Sequence, residues 1–243
     1  MELIFKEQLN STNLYAKERM DELTNLSFVY CNTQTNGKGR LERTWVSNNG
    51  NNLYLTIVLK PKADNFPYIN LTQYLCVITC KILEEYGVKP QIKWPNDILI
   101  NGKKIAGILA QTSTIGSKIK GVALGIGINL NSTKEEMISI DKPATSLNLE
   151  INKEINKEIN RDEFLNKLAL AFEKDYEEFS KQGFSFIEHD YLKRACFINK
   201  EITVNTMTKS LCGVVKTLTQ DGALILCDNK DNKDIVITMG EIQ

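Results

Sequence analysis

The sequence predicts an α/β (α+β) chain in which a central mixed sheet carries helices and is followed by a small β-barrel-like module. Three observations predict it. Between residues 27 and 130 strand-like runs follow one another with hairpin signals between them, which favours a mixed or largely antiparallel sheet with helices on one side. Residues 71–86 and 162–181 carry apolar side chains at helical spacing. From Phe197 the pattern changes to short alternating runs, so the chain divides into residues 1–195 and residues 196–243.

Ser11 and Thr12 precede a run of helix formers, and either is a plausible helix N-cap. Residues 27–33 read as a strand that runs into a polar, glycine-containing loop over residues 34–52. The next strand, residues 52–59, ends at Pro61. Residues 71–86 are apolar all round, which predicts a buried helix, and Gly87 is placed to cap its C-terminus. Short strands at residues 92–94 and 98–100 flank Pro95-Asn96-Asp97, and Asn101-Gly102 is a two-residue hairpin signal before a strand at residues 104–110. Residues 120–130 form a further strand rich in Val, Ile and Gly. A four-residue repeat puts Ile151, Ile155 and Ile159 on one stripe of a connection. The helix that follows presents Phe164, Leu168, Phe172, Tyr176 and Phe179 on one face and stops at Gly183, with weaker helical pattern to Arg194. The last strands are residues 202–204, 211–215, 223–226 and 235–237, with Asp221-Gly222 as a hairpin turn.

Thirty Lys and Arg balance thirty Asp and Glu, so overall charge points to neither a nucleic-acid coat nor a membrane surface, and functional charge must be local. No run approaches the ~18 apolar residues that span a bilayer. The start lacks a basic region followed by an apolar stretch, so the expected location is cytoplasmic. The six cysteines form no Cys-x-x-Cys and are expected as small buried hydrophobes, not as disulfides or a metal site. His189 is the only histidine, and its context reads as a helix surface, so a nucleophile activated by histidine is not expected.

Three segments carry chemistry. In residues 34–45, Gly37 and Gly39 free the backbone, and Lys38, Arg40 and Arg43 supply cations. Such a loop can fold over a phosphate or carboxylate, and equally can be a solvated hairpin. In Lys93-Trp94-Pro95-Asn96-Asp97, followed by Lys104 and Gly107, a lysine opens an apolar strand and needs an anionic partner. Asp97 could ligate Mg2+, or simply cap an exposed turn. Gly125-x-Gly127-x-Asn129 lacks the third glycine and the following helix of a dinucleotide fingerprint; glycines alternating in a strand suggest instead a surface that a flat ligand approaches closely.

Taken in order, Ser11-Thr12-Asn13, Gln34-Thr35-x-Gly37-x-Gly39-Arg40 with Trp45, residues 52–56, Lys93-Trp94-Pro95-Asn96-Asp97, Lys104-x-Ala106-Gly107, Gly125-x-Gly127-x-Asn129 and Ala144-Thr145-Ser146-Leu147 resemble the motif series of biotin protein ligases. The resemblance covers nearly the whole chain. It implies a catalytic domain with a central mixed sheet, an SH3-like C-terminal domain, and a ligase that uses ATP to form biotinyl-5'-AMP and transfers biotin to a lysine of a biotin carboxyl carrier protein. It further implies that Ser11, Thr12, Asn13 and Gln34 hold the biotin head, with Gly37 and Lys38 beside it. Gly107, Gly125 and Gly127 would let the ring approach the backbone. Arg40 and Lys104 would bind the carboxylate and phosphate, assisted by Lys93 in catalysis. Arg43, Trp45, Lys93, Asn96 and Asn129 would face the nucleotide, and Asp97 would take Mg2+. Where the family pattern is richer in arginine and glycine, this chain has Lys38, Leu41 and Glu42, which implies a weaker phosphate grip. Because Ser11 stands so near the start, a form without a DNA-binding domain is expected, and with it no DNA and no membrane partner; the resemblance admits a homodimer. Two competing readings are a lipoate or octanoate ligase or transferase, and a nucleic-acid-binding module built on the basic loop.

Overall fold

The computed structural model describes residues 2–41, 43–61, 66–116, 118–151 and 158–243. The elements run β1 Glu2–Leu9, α1 Thr12–Glu18, β2 Ser27–Gln34, β3 Leu53–Leu59, a 3-10 turn at Tyr68–Asn70, α2 Leu71–Glu85, β4 Gln91–Lys93, β5 Asp97–Ile100, β6 Lys103–Ile115 and β7 Lys118–Ile128. They continue with α3 Lys134–Ile138, α4 Leu147–Glu150, α5 Arg161–Gln182, α6 Phe184–Arg194, β8 Glu201–Asn205, β9 Ser210–Leu218, β10 Leu224–Asp228, β11 Asp234–Ile237 and β12 Glu241–Ile242.

A seven-stranded sheet has the order β1-β2-β3-β7-β6-β5-β4, in which only β1 and β2 pair in parallel. Successive strand residues point to opposite faces. Leu53, Leu55, Ile57 and Leu59 of β3, with Leu124, Ile126 and Ile128 of β7, therefore join the large core together with α2, α5 and α6. Each such side chain contributes about 2 kcal/mol on full burial. Val29, Val58 and Ala123 face the other way and are covered by Ala16, Met20 and Leu23 of the α1 region. Helices thus lie on both faces, and the expectation of one covered side is corrected: α1 is too short to announce itself, and only part of its face needs covering.

Asn101 and Gly102 both take left-handed φ, 51° and 76°, between paired Ile100 and Lys103, as a two-residue hairpin requires. Gly87 (φ 81°) follows the end of α2 and Gly183 (φ 62°) ends α5. The helical pattern beyond Gly183 is a separate helix, α6, tied to α2 by Arg194, which reaches both carboxylate oxygens of Glu84 at 2.8 Å. β1 escaped the sequence reading because it is an edge strand whose mostly exposed residues show no alternation. Ile155 and most of the four-residue repeat lie outside the described residues, as does Glu42. His189 is exposed on α6. All six cysteines are free; Cys31, Cys76 and Cys80 are buried as expected, but Cys212 is exposed because it occupies the outer face of β9. Among the described residues no helix is long and apolar enough to cross a membrane.

β11-β10-β9-β8-β12 form a second, antiparallel sheet. The turn at Asp221-Gly222 joins β9 to β10 as expected: Thr219 N–H donates to Ala223 O at 2.8 Å, and Gly222 takes φ 74°. That turn docks on the start of α2 and on the connection between β4 and β5. Gln73 Nε2 and Trp94 Nε1 both donate to Gly222 O, at 2.9 and 3.2 Å, and Asn70 Nδ2 donates to Asp221 O at 2.8 Å.

Candidate functional site

On the α1 face of the sheet, three glycines leave a strip of bare backbone. Gly127 pairs with Gly107 across β6 and β7, and Gly125 lies two residues earlier on the same face. A Cβ on Gly127 would stand 2.3 Å from Trp45 Nε1, one on Gly107 3.0 Å from Trp45 Cζ3, and one on Gly125 2.2 Å from Asn13 Oδ1. Only glycine permits a planar group to lie this close to a strand. Trp45, expected to wall the nucleotide side, lies against Gly107 and Gly127 of the strip, and its buried Nε1 has no hydrogen-bond partner among the described residues.

One end of the strip is neutral. Ser11, Thr12 and Asn13 are buried at the start of α1. Ser11 occupies the N-cap position without making a side-chain cap, so the capping reading does not account for its hydroxyl. The Thr12 N–H and hydroxyl donate to Gln34 Oε1 at 2.9 and 3.2 Å, and Gln34 Nε2 donates to Ser47 Oγ at 2.8 Å. The Thr56 hydroxyl donates towards Asn13 Oδ1 (2.6 Å) and Thr12 Oγ1 (2.8 Å), while Asn13 Nδ2 donates to Leu109 O and Gln111 Oε1 at 3.2 and 3.1 Å. Ser47, Thr56 and Gln111 were missed from the sequence; Thr56, a hydroxyl inside an otherwise apolar strand, was the one with a readable signal.

The other end is charged. Residues 37–41 and 43–45 form the two arms of a hairpin: Trp45 N–H donates to Gly37 O (2.9 Å), Gly39 N–H to Arg43 O (2.7 Å), and Lys38 bridges to Thr44. A Cβ on Gly37 would stand 2.5 Å from Trp45 O, so this residue brings the hairpin's two arms together. At the tip, Leu41 is held at φ 53°, a left-handed conformation. Arg40 Nη1 donates to Asn96 Oδ1 at 3.2 Å, and Asn96 Nδ2 donates in turn to Ile108 O at 2.6 Å, next to Gly107. Burial pulls the Arg40 guanidinium below its ordinary pKa, against the raising effect of Glu241 and Asp97.

Lys104 Nζ lies 2.7 Å from Asp97 Oδ1 and 5.4 Å from the centre of the Trp45 ring. Asp97 pairs in register with Lys93 across β4 and β5. Asn129 is buried at the end of β7; its Nδ2 donates to Thr145 O at 3.0 Å, and Thr145 N–H donates to Lys104 O at 2.9 Å, so Asn129 braces the strand position of Lys104. Two further residues join the cluster that no local motif announced: Glu241 of β12, ion-paired with Arg43, and Lys142, 3.6 Å from Glu241. Arg40, Arg43, Lys93, Lys104 and Lys142 thus face two carboxylates, Asp97 and Glu241, and the surplus is positive, as an anion site requires. Among the described residues no group of three His, Cys, Asp or Glu could hold a metal ion.

Comparison with known proteins gives a consistent result. Residues 5–129 match the Biotin/lipoate A/B protein ligase family. The chain is 31% identical over 236 residues to the Bifunctional ligase/repressor BirA of Bacillus subtilis (strain 168), covering 96% of this chain and 71% of that protein. It is also 31% identical over 223 residues to the Biotin--[acetyl-CoA-carboxylase] ligase of Paracoccus denitrificans, covering 89% of this chain and 90% of that protein. Among solved structures, the biotin protein ligase from Aquifex aeolicus in complex with biotin and ATP superimposes with a TM-score of 0.83 at 26% identity, over 100% of this chain and 97% of that one.

Proposed function

The chain belongs to the biotin/lipoate A/B protein ligase family, and we infer that it is a biotin protein ligase, which forms biotinyl-5'-AMP from biotin and ATP and passes the biotin to a carboxylase carrier protein. The observation that carries this reading is the glycine strip joining a neutral hydrogen-bonding network to a cationic cluster. A bicyclic urea with a carboxylate tail suits that order of surroundings: neutral donors and acceptors for its head, the Trp45 indole seated on the Gly107 and Gly127 backbone as a wall for its ring in place of the bare strand expected, and cations for its acid. A lipoyl or octanoyl chain has no ureido group to exchange hydrogen bonds with the Thr12, Gln34 and Ser47 network, so a neutral polar head is favoured here.

In the first step an oxygen of the biotin carboxylate attacks the α-phosphorus of ATP, the bond to the β-phosphate oxygen breaks and pyrophosphate leaves. Both reactants are anions, so the barrier includes their repulsion. Lys104 and Arg40, assisted by Lys93, offset it by presenting fixed positive charge where negative charge builds up, while Arg43 meets the nucleotide. Asn96 orients Arg40, and Asn129 acts at one remove by bracing Lys104. The hairpin arms of residues 37–41 and 43–45, with Trp45 across the strip, exclude the water that would hydrolyse the mixed anhydride. In the second step the amine of the acceptor lysine attacks the biotinyl carbonyl and AMP leaves.

Asp97 supplies one carboxylate beside this cluster, which fits a Mg2+ ion arriving on the nucleotide phosphates and does not fit a site built by protein alone. Such an ion would neutralise phosphate charge, with Asp97 shared between it and Lys104. We assign the catalytic role to residues 1–195 and the C-terminal domain to residues 196–243. The carboxylase named for the Paracoccus relative supports a biotin carboxyl carrier protein as acceptor.

Incubation with biotin and radiolabelled ATP should yield pyrophosphate and a biotinyl-nucleotide, and biotin but not lipoate should raise the melting temperature. Stabilisation by lipoate alone would overturn the assignment.

A further inference from the structure

We propose that Glu241, carried on the C-terminal sheet, is a positioning residue for the nucleotide: it holds the Arg43 guanidinium at the cationic cluster while leaving most of its donors available to phosphate oxygens. The proposal rests on the adenylation reading above. Its starting point is that a carboxylate inside an anion-binding cluster works against affinity unless it places something.

Glu241 is firmly seated. Its backbone pairs with Asn205 in β8, the neighbouring Ile242 is buried, and Gln243 N–H donates to Thr203 O at 2.9 Å. Its side chain is only 16% exposed and lies between Arg43 and Lys142, while Arg43 remains 46% exposed. Burial pushes the Glu241 carboxyl up, yet the Arg43 hydrogen bond and the charges of Arg43, Lys142 and Lys93 together outweigh it and hold the group below the usual carboxylate range.

Arg43 in turn closes the hairpin tip. Its carbonyl accepts from Gly39 N–H and its own N–H donates to Arg40 O at 3.2 Å, so fixing Arg43 also fixes the backbone that carries Arg40. Of the Arg43 donors, Nη1 is the one engaged by Glu241. The planar fork of five N–H groups retains its other donors for bidentate contact with a phosphate. Without Glu241, Arg43, Lys142 and Lys93 would repel one another, and the exposed guanidinium would sample many rotamers before meeting the nucleotide.

The test measures steady-state kinetics of biotin-dependent pyrophosphate exchange for the whole chain and for Glu241→Ala, Arg43→Ala and the double variant. Glu241→Ala is expected to raise KM for ATP about tenfold, the loss of one charge-assisted hydrogen bond, with kcat and KM for biotin changed by less than about twofold. Arg43→Ala should match it, and the double variant should be no worse than either single one. Glu241→Gln, which keeps shape and an acceptor oxygen, should recover part of the loss and serves as the variant if the alanine chain fails to fold. A lowered KM for ATP, additive effects of the two substitutions, or a parallel rise in KM for biotin would overturn the proposal. Wild-type protein without biotin-dependent exchange would instead sink the adenylation reading itself.

Discussion

The Trp45 indole lies across Gly127, with Nε1 2.3 Å from the point where a Cβ would stand. One methyl group there has nowhere to go. Gly127→Ala should lift Trp45 off the strip, raise KM for biotin by at least about tenfold and change tryptophan fluorescence, because the only other tryptophan, Trp94, is buried beneath the second sheet. A variant with unaltered biotin affinity would show that the seat of Trp45 on this strand does not shape the biotin site.

Lys104→Ala should abolish formation of biotinyl-5'-AMP, with a loss of about 10²–10³ in kcat, the cost of removing one fixed charge from a site of developing negative charge. The same change leaves Asp97 next to the incoming phosphates without its cation, which adds repulsion. Unchanged steady-state adenylation would refute the role given to this lysine.

Arg40→Ala should slow adenylation and also act after it. Arg40 Nη1 bonded to Asn96 ties the hairpin tip to the turn before β5, so its loss lets the closed loop open with the adenylate inside. Free biotinyl-5'-AMP should then be recoverable by chromatography, and added bystander protein should become biotinylated. Retention of the intermediate at the wild-type level would contradict this.

The Glu241 pair makes a directional claim about acid stability. Because the folded-state pKa lies below the ordinary value of 4.5, the contribution of the pair is complete above that value and disappears as pH falls through the lower folded-state pKa. Melting temperatures of wild type and Glu241→Gln should therefore differ by a constant amount from pH 7 to about 5, then converge towards pH 3. A gap that widens in acid would reverse the sign and remove the pair from the argument.

What could be read from the sequence was local backbone demand. Asn101-Gly102 at a hairpin, Gly183 at a helix end and Gly125 and Gly127 on a strand each need a conformation or clearance that few residues supply, and neighbouring residues revealed it. Lys104 was legible because a cation on an apolar strand requires a partner, which Asp97 provides seven residues away. Contacts between remote segments were not. Glu241 meets Arg43 across 198 residues, and nothing near either one announces the other. β1 was hidden because an exposed edge strand has no buried face to write a pattern, and the place of Trp45 because a loop side chain is located only by what it lands on.

The single carbonyl of Gly222 serves both Gln73 and Trp94, from a residue at φ 74° where an added Cβ would come within 2.6 Å of Gln73 Oε1. Exchanging the last five strands between relatives is therefore less modular than two separate sheets suggest. A graft whose turn presents any other residue at this point arrives with the wrong backbone angle, strands two buried donors on the recipient side, and carries its β12 carboxylate to a different place from the one the hairpin arginine requires.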